Sequence, residues 1–183
     1  MPLAFPNIGI SNISMRLNRA VAVSESPFTF DQQVYQHQGA RWELEVTIPP
    51  LSHAEARAME AFIIALKGRS GTFYFGHPLH NLTATVALTA AADARDEVLQ
   101  ASGSSVPAGN YFQLGDHLYI VTEDFSGSGN LNFQPPLRAS AASGASLDFS
   151  LPKSTFRMSS NDIGWSVDSA SIYGFSFACV EAL

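Results

Sequence analysis

The stretch that decides the fold runs from Arg41 to Pro78 and reads RWELEVTIPPLSHAEARAMEAFIIALKGRSGTFYFGHP. Apolar and polar residues alternate in its first part, and this alternation extends a strand pattern predicted over residues 33–48. Strict alternation is typical of a strand that buries one face. Pro49 and Pro50 end the strand because proline has no N–H to donate to a neighbouring strand.

The middle of this stretch predicts a helix over about residues 53–67. Ser52 fits the N-cap position, and Glu55, three residues later, completes a capping box. Apolar residues then recur at helical spacing, namely Met59, Phe62, Ile63 and Leu66. A helix of this length is only marginally stable alone in water, so we expect it to dock on a sheet. Thr72 to Phe75, with three consecutive aromatic residues, predicts the next strand.

The composition limits the classes of partner. The chain has 183 residues, of which 46% are hydrophobic and 14% are charged, whereas about 25% charge is usual. Low charge indicates either apolar surface covered by other subunits or a well-filled β core, and both readings stay open. The net charge of −6 argues against nucleic acid as the main partner, because phosphate binding needs a basic surface.

The sequence also predicts where the protein is made. Its single cysteine, Cys179, allows no intramolecular disulfide, which fits a reducing compartment. Residues 1–7 lack the basic and continuous apolar regions of a signal peptide. No apolar run approaches the ~18 residues of a membrane span. We therefore expect synthesis in the cytoplasm and no membrane-spanning segment.

Both ends of the chain are predicted to form one β domain, residues 1–83 together with 152–183. Its strand patterns include residues 12–18, a short piece at 28–30 and the strand described above. Near the C-terminus, a strand pattern places Trp165, Val167 and Ser169 on one face. A final strand pattern runs through Ile172, Phe175, Phe177 and Cys179.

The middle of the chain, residues 84–151, differs because it is rich in Ala, Ser and Gly. About five short strands at roughly 10-residue spacing, separated by turns such as 102–104 and 126–130, predict a small inserted β-barrel. The alternative is a single continuous sandwich. Residues 93–100 fit a short helix or a polar loop equally well. The predicted fold is therefore mainly β, a sandwich or split barrel with one docked helix and an inserted small barrel.

The search for chemistry gives no catalytic constellation. His77 and His80 could share a face only on a helix, and Pro78 between them argues against one, so we interpret them as part of a polar loop. Cys179 lies in an apolar strand pattern and is interpreted as a small buried hydrophobe. No catalytic residue, cofactor or metal ligand is predicted, and the protein is not expected to be an enzyme.

Two kinds of residue pair bear on sugar chemistry, neighbouring acids and tryptophans. The neighbouring acids at 96–97 and 123–124 would point to opposite faces of a strand and make poor acid–base partners. Trp42 and Trp165 could form a sugar-stacking platform, but their strand patterns favour the core.

Several short motifs follow one another along the chain, namely Gly39–Trp42, Pro49–Leu51, Ala54–Glu55, Leu66–Arg69, Gly71–Pro78, Gly115–Val121, Gln134–Arg138, Phe156–Met158, Gly164–Asp168 and Phe175–Leu183. Their order resembles that of small tail proteins of long-tailed bacteriophages and prophages. The motifs span most of the chain.

The resemblance implies a distal tail protein or another minor tail-tip protein. Such proteins are structural components of the virion tail tip, where they form a ring, commonly of six copies, that joins the tail tube to the baseplate hub. Their ring domain is a β-sandwich or split barrel with a helix, and many carry a peripheral oligosaccharide-binding-like barrel. Some contact fibres or host glycans.

Three residues are predicted at a subunit interface. The segment from Pro2 to Ile10 is apolar and interrupted by proline, so it could lie across a neighbouring subunit, with Phe5, Ile8 and Ile10 in contact.

Two other functions compete with the ring. One is a carbohydrate-binding tail accessory module that presents Tyr111, Phe112 and Tyr119 from its barrel. The other is a tail-borne glycan hydrolase, which would need paired carboxylates.

Overall fold

A computed structural model describes residues 1–78, 80–168 and 171–183. It contains a sheet with one packed helix, and a closed β-barrel. The sheet and helix comprise β1 (Leu3–Ala4), β2 (Asn12–Glu25), β3 (Gln32–Thr47), α1 (His53–Leu66), β4 (Phe73–Gly76), β11 (Lys153–Met158), β12 (Trp165–Val167) and β13 (Tyr173–Glu181). The barrel comprises β5 (Thr85–Leu88), β6 (Val98–Gly103), β7 (Tyr111–Leu114), β8 (His117–Val121), β9 (Ser128–Gln134) and β10 (Ser146–Asp148).

The sheet runs in the order β1-β4-β11-β13-β3-β2, and β12 pairs with β13 beside it. Within the described part of the chain, β1 and β4 are the one parallel pair of this sheet. The C-terminal strand β13 lies in the interior of the sheet between β11 and β3, and its buried face includes Phe175, Phe177 and Cys179. The alternation read from the sequence is therefore real, because every second side chain of this strand enters the core.

Helix α1 lays one apolar stripe on this sheet. The four residues predicted to form the stripe are all buried: Met59, Phe62, Ile63 and Leu66. The predicted capping box is present, since the Ser52 amide and hydroxyl both donate to Glu55 Oε2, at 3.1 and 2.7 Å. The helix ends at Leu66; its C-cap, Lys67, is left-handed (φ 51°) and is followed by Gly68, which also has a positive φ (65°).

The barrel closes through antiparallel pairs in the order β10-β5-β6-β9-β8-β7. Its own core includes Val86, Leu99, Phe112 and Phe133, each no more than 1% exposed. The prediction of a mainly β fold with one docked helix and a small barrel is confirmed. Within the described ranges, no helix combines the length and apolarity that a membrane crossing needs.

Two element predictions were wrong near the hairpin that joins β2 to β3. Strand β2 continues to Glu25 instead of ending near residue 18, because backbone pairing with β3 persists beyond the apolar alternation. Residues 28–30 are not a strand. They belong to the turn, in which the Phe30 amide donates to the Ser26 carbonyl at 2.9 Å.

Two further elements were misread in the barrel. Strand β6 begins inside the segment read as helix or loop and extends into a predicted turn at 102–104, ending at Gly103. Residues 128–130 were also read as a turn but belong to β9. Serine and glycine are poor strand formers, yet here they pair with neighbouring strands in a closing barrel. The barrel therefore has six strands and not about five.

Candidate assembly surface

The far half of the β2–β3 hairpin projects beyond the core. We call residues 20–39 the arm. All of its residues are exposed except Ser26, which is half-buried. The arm strands have about 6 residues beyond the core on the β2 side, so they reach about 20 Å from it. An isolated two-stranded ribbon of this kind has little independent stability in water.

One face of the arm continues the core-facing face of the sheet. At the base of the hairpin, Met15 lies opposite Leu44, and Leu17 lies opposite Trp42. The register shifts once between Arg19 and Val21, with two extra residues in β3, so the same parity of residues continues into the arm. There the face carries Val21, Val23 and Val34, which are 46%, 58% and 61% exposed. This stripe of three valines shares its face with Arg19 and Gln36, and the described residues of its own chain do not cover it.

The tip of the arm presents two phenylalanine side chains. Phe28 is 91% exposed and Phe30 is 72% exposed. Phe30 has a φ of 59°, a left-handed conformation that costs a bulky residue about 1–3 kcal/mol. The turn is held by hydrogen bonds, including one from Thr29 Oγ1 to Asp31 Oδ2 of 2.7 Å. The turn therefore contains a strained backbone conformation at Phe30 and leaves both phenylalanine rings exposed to water.

Strand β2 is also an open sheet edge. It ends the strand order and pairs with β3 alone among the described residues. Its outer backbone groups can pair with a strand of another chain. Most edge strands carry features that prevent such pairing, such as proline or a very short length. Strand β2 has 14 residues and no proline, and its one irregularity is the register shift between Arg19 and Val21.

The opposite edge of the sheet carries an apolar groove. We call it the edge groove. It encloses about 430 Å³ and is lined by Phe5, Pro6, Ile8, Phe75, Pro78 and Lys153, among others. Among its described lining residues, Lys153 alone carries a charge. The groove lies where the N-terminal segment passes β4.

The structure places the three predicted interface residues against the core of their own chain. Phe5, Ile8 and Ile10 are half-buried and pack on the sheet core. The Phe5 ring meets Phe62 and Phe75 edge-on, with ring centroids 5.4 and 5.0 Å apart. Their contact with another subunit stays a prediction. Phe5 and Ile8 also line the edge groove, so part of each side chain borders that open recess.

A buried carboxylate joins the sheet to the barrel. Glu181, at the end of β13, has a side chain with no solvent exposure. It accepts a hydrogen bond of 2.8 Å from Arg138 and one of 3.1 Å from the Trp42 amide. His117 Nδ1 lies 3.6 Å from it, an ion-pair distance if the ring is protonated. The Trp42 indole in turn donates to the Leu118 carbonyl of the barrel at 2.9 Å.

The charges around Glu181 are those expected of a group that holds the sheet and the barrel together. Burial alone would raise the pKa of Glu181, but His117, Arg138 and the Trp42 amide together bring the pKa below its usual value. The carboxylate is thus charged at neutral pH and enclosed by its partners. Sequence reasoning missed Glu181, although one acid at the end of an otherwise apolar strand is a recognisable signal.

A polar cavity of about 280 Å³ lies between the arm and the barrel. It is lined by Arg19, Gln36, His37, Gln38, Glu97 and Gln134, among others. The Gln134 Oε1 atom is buried and has no hydrogen-bond partner among the described residues. These amide, guanidinium and carboxylate groups offer donors and acceptors to a polar ligand.

His77, His80 and Cys179, the candidates for metal or thiol chemistry, are packed against other side chains. His77 stacks on Tyr111, and the His77 and His80 ring centroids lie 6.5 Å apart. Burial and the nearby His77 lower the pKa of His80. Burial raises the pKa of Cys179 to about 12, as expected for a core thiol. No cluster of three or more potential ligands able to hold a metal occurs in the described part of the chain.

The acidic pairs serve local hydrogen bonds. Glu123 accepts from Asn132 at 2.6 Å, and Asp124 accepts from the Ala108 amide at 2.8 Å. Asp96 accepts from the Asp93 amide at 2.9 Å, and Glu97 lines the polar cavity.

The aromatic predictions were partly wrong. Trp42 is buried as expected, but Trp165 is 37% exposed and stacks on Phe175. Its strand β12 lies at the margin of the sheet, where one face stays open. Phe112 and Tyr119 are at most 1% exposed and Tyr111 is half-buried against Trp42. The rings of Phe112 and Tyr119 therefore fill the barrel interior and are not available for sugar stacking. Ser169 lies outside the described residues.

A scan against protein-family models finds no match for this chain, and a search of curated proteins finds none either.

Proposed function

We propose that this protein is a structural subunit of a phage tail tip, a distal tail protein whose copies form a ring between the tail tube and the baseplate hub. Six copies are the number that the family resemblance implies. The protein would be made in the bacterial cytoplasm and would act in the virion without catalysing a reaction.

The observation that carries this proposal is the arm. Its stripe of valines, its two exposed tip phenylalanines and the open edge of β2 are all surfaces that another chain can cover. Contiguous exposed apolar surface marks interaction sites in soluble proteins. Because the arm lies on one edge of the sheet and the groove on the other, copies can associate head to tail, and such contacts close into a ring when the rotation between copies allows it.

Electron microscopy of the purified protein tests the proposal. We expect closed rings of one subunit number, which disappear when residues 21–36 are replaced by the turn Asn-Gly. That replacement leaves the paired base of the hairpin intact. A matched control replaces exposed Ser140 of the barrel with Ala and should leave the rings unchanged. Single particles of one-subunit size at every concentration would contradict the proposal.

The polar cavity favours one second candidate, a carbohydrate-binding accessory module. Its unpartnered Gln134 Oε1 and the neighbouring glutamines could bond sugar hydroxyl groups. A glycan-array screen of the native protein and of a Gln134→Leu variant tests this candidate. Binding that the substitution removes would support it, and the absence of any bound glycan would contradict it.

A further inference from the structure

We infer that the arm tip of one copy docks in the edge groove of the next copy, with Phe28 and Phe30 as its anchors. This inference rests on the proposed ring and names the two surfaces that meet in it. The two surfaces are matched in shape, charge and position.

Shape and polarity form the first match. The tip offers two phenylalanine rings that are mostly in water. The edge groove is an apolar recess of about 430 Å³ whose walls include Phe5, Ile8 and Pro78. Large aromatic side chains that enter apolar recesses are the usual anchors of protein interfaces. Burial of the two rings would also offset the strained backbone of Phe30.

Charge is the second match. Two carboxylates, Glu25 and Asp31, flank the phenylalanines at the end of the arm, where they bond to Gln32 and Thr29. The positively charged Lys153 is part of the groove lining. Docking of the tip would therefore bring acidic groups to the one described cation of the groove. Opposite charges around an apolar anchor fix the register of a contact.

Position is the third match. The strand register runs across the sheet through three pairs, Gly76–Lys153, Phe156–Glu181 and Val180–Glu43. Followed from β4 to β3, this register shows that the end of β4 at Gly76 and the end of β3 that enters the arm point in the same direction. The groove thus lies at the same end of the strands as the arm. Five strand spacings separate β1 from β2, or about 24 Å. A tip cannot easily cross its own sheet to that groove, whereas the groove of an adjacent copy can lie beside it.

This arrangement gives each copy one tip and one groove on different edges. The contact is heterologous, because the tip surface never meets a second tip. Such contacts propagate from copy to copy and close when the rotation between copies allows it. The inference also gives a role to Phe5 and Ile8, whose inner sides support the core while their outer sides receive the partner.

Disulfide trapping tests the contact directly. Thr29→Cys places a thiol at the tip and Asn7→Cys places one at the groove rim, while native Cys179 is 1% exposed and does not compete. Equal amounts of the two single variants are mixed and oxidised mildly. We expect a covalent heterodimer, and a ladder of higher species from the protein that carries both substitutions. Ser140→Cys, on the exposed surface of the barrel, replaces Asn7→Cys in the matched control and should give no heterodimer.

A charge reversal supplies a second measurement. Lys153→Asp should weaken assembly about fivefold, the effect of an ion pair worth about 1 kcal/mol. Adding Asp31→Lys to the same chain should restore assembly. Light scattering measures the assembled mass, and circular dichroism checks that each variant folds.

The outcomes separate the inference from the proposed function. Assembled rings without tip-to-groove cross-links, and without rescue by the charge swap, would overturn the docking inference and leave the ring proposal standing. A protein that stays monomeric at all concentrations would overturn both. Cross-linking equal to that of the Ser140→Cys control would also overturn the docking inference, because it would reflect random collision.

Discussion

The base and the arm of the β2–β3 hairpin are two halves of the same pair of strands, yet they have opposite surroundings. At the base, Leu44 and Val46 of β3 are 2% and 0% exposed, and the helix and barrel cover them. In the arm, Val34 of the same strand and the same face is 61% exposed. The pairing is continuous through both halves apart from one register shift.

This difference shows that an alternating pattern specifies a face that must be covered but does not say which chain covers it. The base is covered within the chain, by α1 and by the barrel residues Tyr111, Leu118 and Ile120. For the arm, the described residues provide no such layer. We therefore propose that the base determines folding and the arm determines assembly.

The largest effect is expected at the base, from Trp42→Ala. Trp42 is 4% exposed and its indole bonds the Leu118 carbonyl at 2.9 Å. Its removal leaves a cavity and an unpaired carbonyl, so we expect a loss of about 4 kcal/mol in the free energy of unfolding. Urea titration of the dilute protein measures it. A loss below about 1 kcal/mol in the free energy of unfolding would show that the base of the hairpin does not stabilise the fold in this way.

The next effect is expected from Glu181→Ala, which removes the anchor between sheet and barrel. Arg138, with a side chain 12% exposed, would lose its charged partner, and the Trp42 amide would lose its acceptor. We expect a loss of about 3 kcal/mol, at the lower end of the range for a broken buried pair. Thermal unfolding compares this variant with Glu123→Ala, an exposed acid of the barrel, which should stay near the native value.

A smaller effect on stability is expected in the arm, from Val23→Ser combined with Val34→Ser. These residues lie opposite each other, so their loss removes one cross-strand contact worth about 0.5–1 kcal/mol. Assembly should nevertheless be lost, since the stripe becomes polar. Urea titration and light scattering of the same samples separate the two effects. Intact assembly in this variant would mean that the stripe is not buried between copies.

The smallest effect is expected on the solvent side of the base, from Glu43→Gln. Hydrogen bonds from Asn18, then Arg41 and Arg16, lower the pKa of Glu43 to about 2. A lowered folded pKa adds stability that is fully present above about 4.5 and is lost as the pH falls through about 2. For a surface pair we expect a deficit of about 0.5 kcal/mol at pH 7. Unfolding curves from pH 7 to pH 2 should converge, and a deficit that grows in acid would contradict this assignment.

Much of the fold follows from the sequence because its signals are local. The capping box at Ser52, the apolar stripe of α1 and the alternation in β3 are each fixed by neighbouring residues, and all appear in the structure. Strand β6 was missed because its serine and glycine residues pair only through the closure of the barrel, which is a long-range property.

The assembly surface was only partly predictable. The apolar character of the N-terminal segment indicated an interface, but its packing on Phe62 and Phe75 depends on the tertiary fold. The arm was missed because residues 28–30 were read as a separate strand, which hid the fact that β2 and β3 form one long hairpin. Val21, Val23 and Val34 do alternate, and that signal becomes informative only once their pairing is known.

Hydrogen exchange measured by mass spectrometry at low and high protein concentration tests the central claim most directly. The account predicts that peptides covering the arm, residues 20–39, exchange more slowly as concentration rises, while peptides from the base, residues 40–47, stay unchanged. Equal exchange of the arm at both concentrations, in samples that light scattering shows to be assembled at the higher one, would contradict it.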